Sequence, residues 1–222
     1  MKNDFPSVLY LYGFASGPQS CKAQFFKEKF SLLKIHFDIF DYIPNEEAFS
    51  NLRTSSLLDD LHSYIQANYE NSLILFGSSF GALISAWYAS RYPKKIEKLI
   101  LMAPALRFST SFICQALGTD PSIWERKGYV NVSHYRYNKE VPLNFSFYED
   151  LLENPLPNFW KEVFLQPILI FHGKFDEVVP LIWSQEFMEF NWNVTLHTLD
   201  GDHQLLNQKK IMWKLIKEFF NI

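Results

Sequence analysis

The pentapeptide Gly77-Ser78-Ser79-Phe80-Gly81 joins two stretches of different character. Before it, Leu73-Ile74-Leu75-Phe76 is an unbroken apolar run, as expected of a strand buried on both faces. After it, Leu83, Ala86 and Trp87 fall on one face of a helix-forming segment. A strand that passes straight into a helix must turn sharply. Glycines two residues either side of Ser79 leave room for neighbouring backbone at that corner, because glycine has no Cβ. The corner would lift Ser79 Oγ above the strand end and leave the next amide, that of Phe80, an unpaired donor at a helix N-terminus. This is how a nucleophilic serine is presented. The plainer alternative is an ordinary Gly/Ser turn; the flanking strand and helix favour the nucleophile.

A serine hydroxyl is a poor nucleophile at neutral pH and needs a base. The histidines are His36, His62, His134, His172, His197 and His203. His203 follows the last apolar strand run, in Leu199-Asp200-Gly201-Asp202-His203, and precedes the last helical stretch. His172 also follows a strand, but His203 is the better-placed base. His197 lies within a strand pattern and His62 in mid-helix. The base needs an orienting carboxylate. Asp176, in His172-Gly173-Lys174-Phe175-Asp176-Glu177, sits in the loop after the penultimate strand; Glu177, Asp200 and Asp202 are its rivals. Asp is equally at home as a turn or helix-capping residue.

The elements that must position these groups alternate. Strand runs are read at Val8–Tyr12, Phe37–Tyr42, Ser72–Phe76, Leu99–Met102, Ile168–Phe171 and Val194–Leu199. Helical spacing is read at Lys22–Phe30, Leu52–Tyr69, Ser79–Arg91, Leu181–Phe190 and Leu205–Phe220, the last with Leu206, Ile211, Leu215, Ile216 and Phe219 on one side. Such alternation predicts an α/β fold, a mostly parallel sheet of about six strands with helices on both faces. Reactive groups in such sheets collect beyond the carboxyl ends of the strands, where Ser79, Asp176 and His203 would all lie. The rhythm breaks between Ala105 and Gln166, a proline- and aromatic-rich stretch with helical pieces expected near Phe112–Leu117 and Phe147–Glu153. We read residues 1–222 as one domain with residues 105–166 inserted as a short cap over the site. The chain holds 22 Phe, 11 Tyr and 6 Trp; an apolar pocket would use some of them, and for most positions a compositional drift that enriches Phe, Tyr, Ile, Asn and Lys together is the plainer reading. Phe108, Phe112, Trp124, Tyr135 and Trp160 are candidates either for an acyl-binding wall or for packing.

The order Ser79, Asp176, His203 and the three motifs around them resemble the α/β-hydrolase superfamily, over nearly the whole chain. Within it the chain is similar to small serine esterases and thioesterases. Leu9-Tyr10-Leu11-Tyr12-Gly13-Phe14-Ala15-Ser16-Gly17-Pro18, followed by Lys22-Ala23, resembles the N-terminal signature of YqiA-type esterases. The stretch from Glu140-Val141-Pro142-Leu143 to Asp150 is more similar to bacterial relatives of a mitochondrial acyl-protein thioesterase. The resemblance implies a Ser79–His203–Asp176 triad that cleaves a small-molecule ester or thioester through an acyl-enzyme. It also implies an oxyanion hole from the backbone amides of Phe14 and Phe80. Tyr12 stands where the superfamily usually has a histidine that serves packing. A peptidase or amidase on the same fold, or a non-catalytic binding module, are the other readings. Intact triad residues argue against the last, and a serine at the elbow disfavours dehalogenase and epoxide-hydrolase chemistry.

Several classes are excluded. The formal net charge is −3 with both signs interspersed, so no nucleic-acid footprint is expected. No apolar run approaches the roughly 18 residues of a membrane span, and the N-terminal run is too short for a signal peptide. No histidine–carboxylate set has metal-ligand spacing, and no Gly-rich phosphate loop follows a strand; neither metal nor cofactor is expected. Cys21 and Cys114 are read as free thiols in a reducing cytoplasm, more as small buried hydrophobes than as reactive groups.

Overall fold

The computed structural model describes residues 5–154, 156 and 163–222. Along the chain, β1 (Val8–Leu11), α1 (Cys21–Leu32), β2 (Phe37–Ile39), α2 (Glu46–Ser50), α3 (Thr54–Asn68), β3 (Leu73–Ser78), α4 (Phe80–Arg91) and β4 (Ile96–Met102) come first. Next are α5 (Thr110–Leu117), α6 (Pro121–Lys127), β5 (Tyr129–His134), β6 (Lys139–Asn144) and α7 (Ser146–Glu153). The chain closes with β7 (Ile168–Gly173), α8 (Ile182–Phe190), β8 (Val194–Leu199) and α9 (Lys209–Phe220). Six strands form one parallel sheet in the order β2-β1-β3-β4-β7-β8. The reversal of direction at β1, between β2 and β3, is the kind of switch at which such sheets open a crevice.

Burial explains the strand sequences. β1, β3 and β7 are buried at every residue, since they lie inside the sheet with helices on both faces. The edge strand β8 buries Leu199 alone, and its Thr195 and Thr198 are exposed. The register aligns the carboxyl ends: Leu11 lies opposite Gly77, Ser78 opposite Met102, Met102 opposite Phe171, and Gly173 opposite Leu199. The chain therefore leaves all five strands along one edge.

The helices follow from their apolar patterns. α4 is buried almost all round, as its run of Ala, Leu and Ile requires. α9 is amphipathic and buries Met212, Ile216 and Phe220, spaced by one turn. Of the stripe expected from sequence, Ile216 is buried and Leu215 and Phe219 are partly buried against the core, whereas Ile211 is exposed and Leu206 lies in a short 3-10 turn before α9, which begins at Lys209. The helix expected over 52–69 is α3, Thr54–Asn68; the short α2 before it, set off by the turn at Asn51-Leu52-Arg53, was not expected. Strand β2 stops at Ile39 rather than Tyr42, and β4 begins three residues earlier than its apolar run suggests.

The residues between β4 and β7 form α5, α6, a two-stranded antiparallel hairpin of β5 and β6, and α7. Helix α6 and the hairpin register were not legible as such. The insertion is pinned at its far end. Asp150 on α7 accepts from Thr54 Oγ1 at 2.9 Å, from Ser55 N at 3.0 Å and from Ser55 Oγ. Arg53, the residue preceding α3, offers no side-chain cap, so Asp150 caps α3 from another element. Burial would raise the Asp150 carboxyl, but hydrogen bonds from Ser55 and Thr54 outweigh it and hold it below the ordinary range. The other end of the hairpin rests on the loop after β1. Tyr135 N donates to Ala15 O at 2.9 Å, and Arg136 Nη1 reaches Asp41 Oδ1 and Ile43 O at 2.9 and 2.6 Å.

Candidate active site

At the end of β3 the backbone has no slack. A Cβ on Gly77 would lie 2.4 Å from Ala82 Cα, and one on Gly81 would lie 2.3 Å from the carbonyl oxygens of Leu11 and Tyr12. Both glycines are required by close approach of backbone to backbone, one within the corner and the other against β1. Ser79 itself takes φ 53° and ψ −114°, a left-handed conformation that is strained for a serine. Its amide donates to Met102 O at 2.8 Å, which ties the corner to β4. The side chain is thereby thrust off the sheet edge.

His203 arrives from the loop between β8 and α9. Its Nε2 lies 3.0 Å from Ser79 Oγ. Its Nδ1 lies 2.8 Å from Asp176 Oδ2 and 3.0 Å from Oδ1. The three residues thus form a continuous hydrogen-bonded chain from three separate loops at one sheet edge. The Asp176 carboxylate is fully buried. Burial by itself would raise its pKa, but hydrogen bonds from His172 and His203 and from the Val179 amide outweigh that and hold the group well below the usual carboxylate range. Asp176 is also a turn residue, as its residue type allows: Oδ1 accepts from the amides of Val178 and Val179 at 2.9 and 2.7 Å.

The rival acids lie elsewhere. Asp202 Oδ1 accepts from Leu205 N at 3.0 Å, so it shapes the turn that carries His203. Asp200 is exposed, with Lys174 Nζ 3.9 Å away. Glu177 is exposed on the wall of the cleft. Of the other histidines, His62 stacks on Tyr92 with ring centres 4.2 Å apart, and His197 stacks on Phe171 at 5.9 Å.

Ser79 and His203 open into a cleft of about 330 Å³, lined mainly by apolar surface that includes Tyr10, Phe14, Tyr135, Val178 and Leu206. Phe14 packs edge-on against Phe80, ring centres 5.9 Å apart. The amides of Phe14 and Phe80 have no hydrogen-bond partner among the described residues. Tyr12 is a packing residue: its ring stacks on Tyr42 at 4.5 Å and its hydroxyl donates to Asp41 Oδ1 at 2.6 Å.

The structure chooses between the two readings of the insertion's aromatics, and corrects the one for Cys21. Trp124 is not on the cleft: it is fully buried, its Nε1 donating to Leu143 O at 3.1 Å, between Phe145 and Tyr148. Phe108 is buried, and Phe112 lines a neighbouring depression with Trp183. Tyr135 does reach the cleft, at the tip of the hairpin. Trp160 lies outside the described residues. Cys114 is buried as expected of a small hydrophobe, but Cys21 is exposed, lines the cleft and accepts from Lys209 Nζ at 2.8 Å.

Two residues named from sequence take places here that the sequence did not assign them. Lys22, in the first turn of α1, lines the cleft; burial pulls its ammonium down to about 8, while Asp176, Asp202 and Cys21 oppose that shift. His172 touches Asp176, Nε2 to Oδ2 at 3.2 Å. For His172 the signal was its place at the end of β7, four residues before the acid. Lys22 stood in the sequence only as part of the N-terminal signature, which gave it no role at the site. Among the described residues no group of His, Cys, Asp and Glu is arranged to hold a metal ion.

Three solved structures share this architecture at 22% identity or less. Mouse alpha/beta hydrolase domain-containing protein 10 aligns over 100% of this chain and 92% of its own, at 22% identity and a TM-score of 0.75. Est1E from Butyrivibrio proteoclasticus, with ferulic acid bound, aligns over 97% and 88% at 17% identity and 0.76. One of the metagenome-derived lipolytic enzymes LipS and LipT aligns over 98% and 95% at 18% identity and 0.72. At such identities the likeness speaks for the fold, which is that of the α/β-hydrolases. Among the curated proteins none matches. A family model spans residues 7–221, and the chain belongs to the uncharacterised protein family UPF0227.

Proposed function

We propose that the protein is a serine hydrolase that cleaves a carboxylic ester or thioester through an acyl-enzyme. The reading rests on one observation, the continuous chain Ser79 Oγ–His203 Nε2 (3.0 Å) and His203 Nδ1–Asp176 Oδ2 (2.8 Å) at the mouth of an apolar cleft. In this reading Ser79 attacks the acyl carbon while His203 takes its proton. The negative charge that develops on the carbonyl oxygen is met by the Phe14 and Phe80 amides. Asp176 holds His203 in the tautomer with its proton on Nδ1 and stabilises the imidazolium. His203 then protonates the departing alcohol or thiol. Water, deprotonated by His203, attacks the acyl-enzyme and frees Ser79.

The cleft supports an acyl or aryl group of modest size against Phe14, Tyr135, Val178 and Leu206. The esterase and lipolytic enzymes among the structural neighbours agree with a small acyl substrate. No helix of the described residues is long and apolar enough to cross a membrane. The free thiols Cys21 and Cys114 favour a reducing, cytoplasmic setting. The test is labelling with a fluorophosphonate, mapped by peptide mass. It should modify Ser79 alone, and hydrolysis of a p-nitrophenyl ester should stop in proportion. Labelling at Ser78, or none in folded protein, would discard the reading. The same acyl group offered as ester, thioester and anilide separates esterase and thioesterase from amidase.

A further inference from the structure

Asp176 lies between two imidazoles, and the second has no part in the triad. His172 is fully buried at the end of β7. Its Nε2 faces two oxygens, Val179 O at 2.9 Å and Asp176 Oδ2 at 3.2 Å. Neither a carbonyl nor a carboxylate can donate, so Nε2 must carry a proton. Its Nδ1 lies 2.7 Å from Ser184 Oγ, on α8, and Ser184 is also fully buried. In the tautomer protonated on Nε2, Nδ1 accepts from the Ser184 hydroxyl. Every polar atom of the ring therefore has a partner, and the ring orientation is set by β7, α8 and the acid loop at once. The surroundings are equally tight: a Cβ on Gly173 would lie 2.4 Å from the carbonyl oxygens of Gly201 and Asp202, in the loop that carries His203.

We propose that His172 is a positioning residue for the catalytic acid, held by Ser184 in the tautomer that donates to Asp176 and so fixing the carboxylate that His203 receives. The two carboxylate oxygens are then held differently. Oδ1 takes the turn amides of Val178 and Val179 and the longer His203 contact at 3.0 Å, while Oδ2 is shared by His172 and the shorter His203 contact at 2.8 Å. Sharing has two consequences. The carboxylate cannot rotate about its bond to Cβ without losing a donor on either oxygen. Its charge is also divided between two imidazoles, which moderates how strongly it stabilises the imidazolium form of His203. This inference rests on the hydrolase reading above, with Asp176 as its acid.

The experiment compares His172→Gln with His172→Met. Neither variant has an imidazole, so neither can titrate at this position. Gln keeps an amide donor about where Nε2 lies, and Met keeps bulk without a donor. The titratable and charged groups facing the Asp176–His203 pair are unchanged in both: Cys21 and Lys22 on α1, Tyr10 on β1, Tyr135 on the hairpin, Glu177 beside the acid and Asp202 beside the base. Folding is checked by circular-dichroism melting, and kcat, KM and the pH profile of kcat/KM are measured on a p-nitrophenyl ester. His172→Met should lose roughly 10- to 100-fold in kcat, a cost typical of a misplaced catalytic group, with KM little changed. Its acid limb should move to higher pH, because His203 then receives the undivided carboxylate charge. His172→Gln should retain most of kcat and the original acid limb. Should His172→Met fail to fold, Ser184→Ala carries the test: it should lower kcat a few-fold and displace the limb in the same direction. Wild-type kcat and an unmoved limb in the folded variants would overturn the proposal. So would equal losses in Gln and Met, which would reduce His172 to a packing residue. A wild-type enzyme that shows no Ser79-directed labelling would instead overturn the hydrolase reading itself.

Discussion

The corner after β3 and the insertion between β4 and β7 both border the cleft, yet they are built on opposite terms. At the corner, backbone meets backbone at distances no Cβ could enter, and Ser79 sits in a strained conformation fixed by β4. Residue types there are dictated atom by atom. In the insertion Phe108, Trp124, Phe147 and Phe164 are buried while Ile123, Tyr129 and Leu152 are exposed, and Tyr135 reaches the cleft from a hairpin tip. Aromatic residues near a site are therefore not evidence that they line it. Most of those described in the insertion pack into the common core, Phe108 against Phe80 and Phe147 against Phe14, because helices and a hairpin laid on a sheet edge must bury an apolar face before they can present anything.

The sharpest way to break this contrast is at the corner itself. Ser79→Ala should remain folded and lose at least ~10⁴-fold in kcat, as a nucleophile that acts as a unit with its base requires. Residual hydrolysis within tenfold of wild type would remove the corner from the chemistry. Asp176→Asn should cost about 10⁴-fold in kcat by favouring the wrong tautomer of His203, whereas Glu177→Gln and Asp200→Asn should be near neutral. Steady-state assays on the three variants decide the matter. A larger loss in Glu177→Gln would reassign the acid.

The insertion should respond in a different currency, stability against selectivity. Trp124→Ala should lower unfolding free energy by about 3–5 kcal/mol while leaving the acyl-chain profile from acetate to laurate unchanged. Tyr135→Ala, at a residue 76% exposed, should leave the melting temperature alone and change the profile several-fold. A profile altered by Trp124→Ala and untouched by Tyr135→Ala would reverse the comparison.

The smallest effect concerns the seam between insertion and sheet. His134 is buried against Phe49 and Tyr137, and neither ring nitrogen has a hydrogen-bond partner among the described residues. Burial, assisted by Arg136 and opposed by Glu46, lowers its pKa to about 4 from the ordinary 6.5. Between those values the unfolded chain binds a proton that the folded chain refuses, so stability falls as pH drops from about 6.5 toward 4. The melting temperature of wild type should fall by a few degrees more between pH 7 and 5 than that of His134→Gln. Parallel curves would mean that the imidazole takes up its proton in the folded protein.

Sequence alone determined the parallel α/β scaffold and placed Ser79, Asp176 and His203 on one edge of it. Each of these is a local matter: buried strands are continuous apolar runs, helices bury one stripe, and a glycine-flanked serine between them admits few conformations. Boundaries slipped where no local signal marks them, as at the end of β2 and at the start of α9. The partners that come from elsewhere in the chain were decided by tertiary structure alone. Asp150 caps a helix that begins 96 residues before it, and Trp124 is buried although its place in the insertion equally suited a pocket wall. His172 meets the acid only because a turn folds Asp176 back beneath β7 and Ser184 on α8 fixes the ring. Contacts of this kind depend on how elements pack across the sheet, and no periodicity along the chain encodes which residue will lie opposite which.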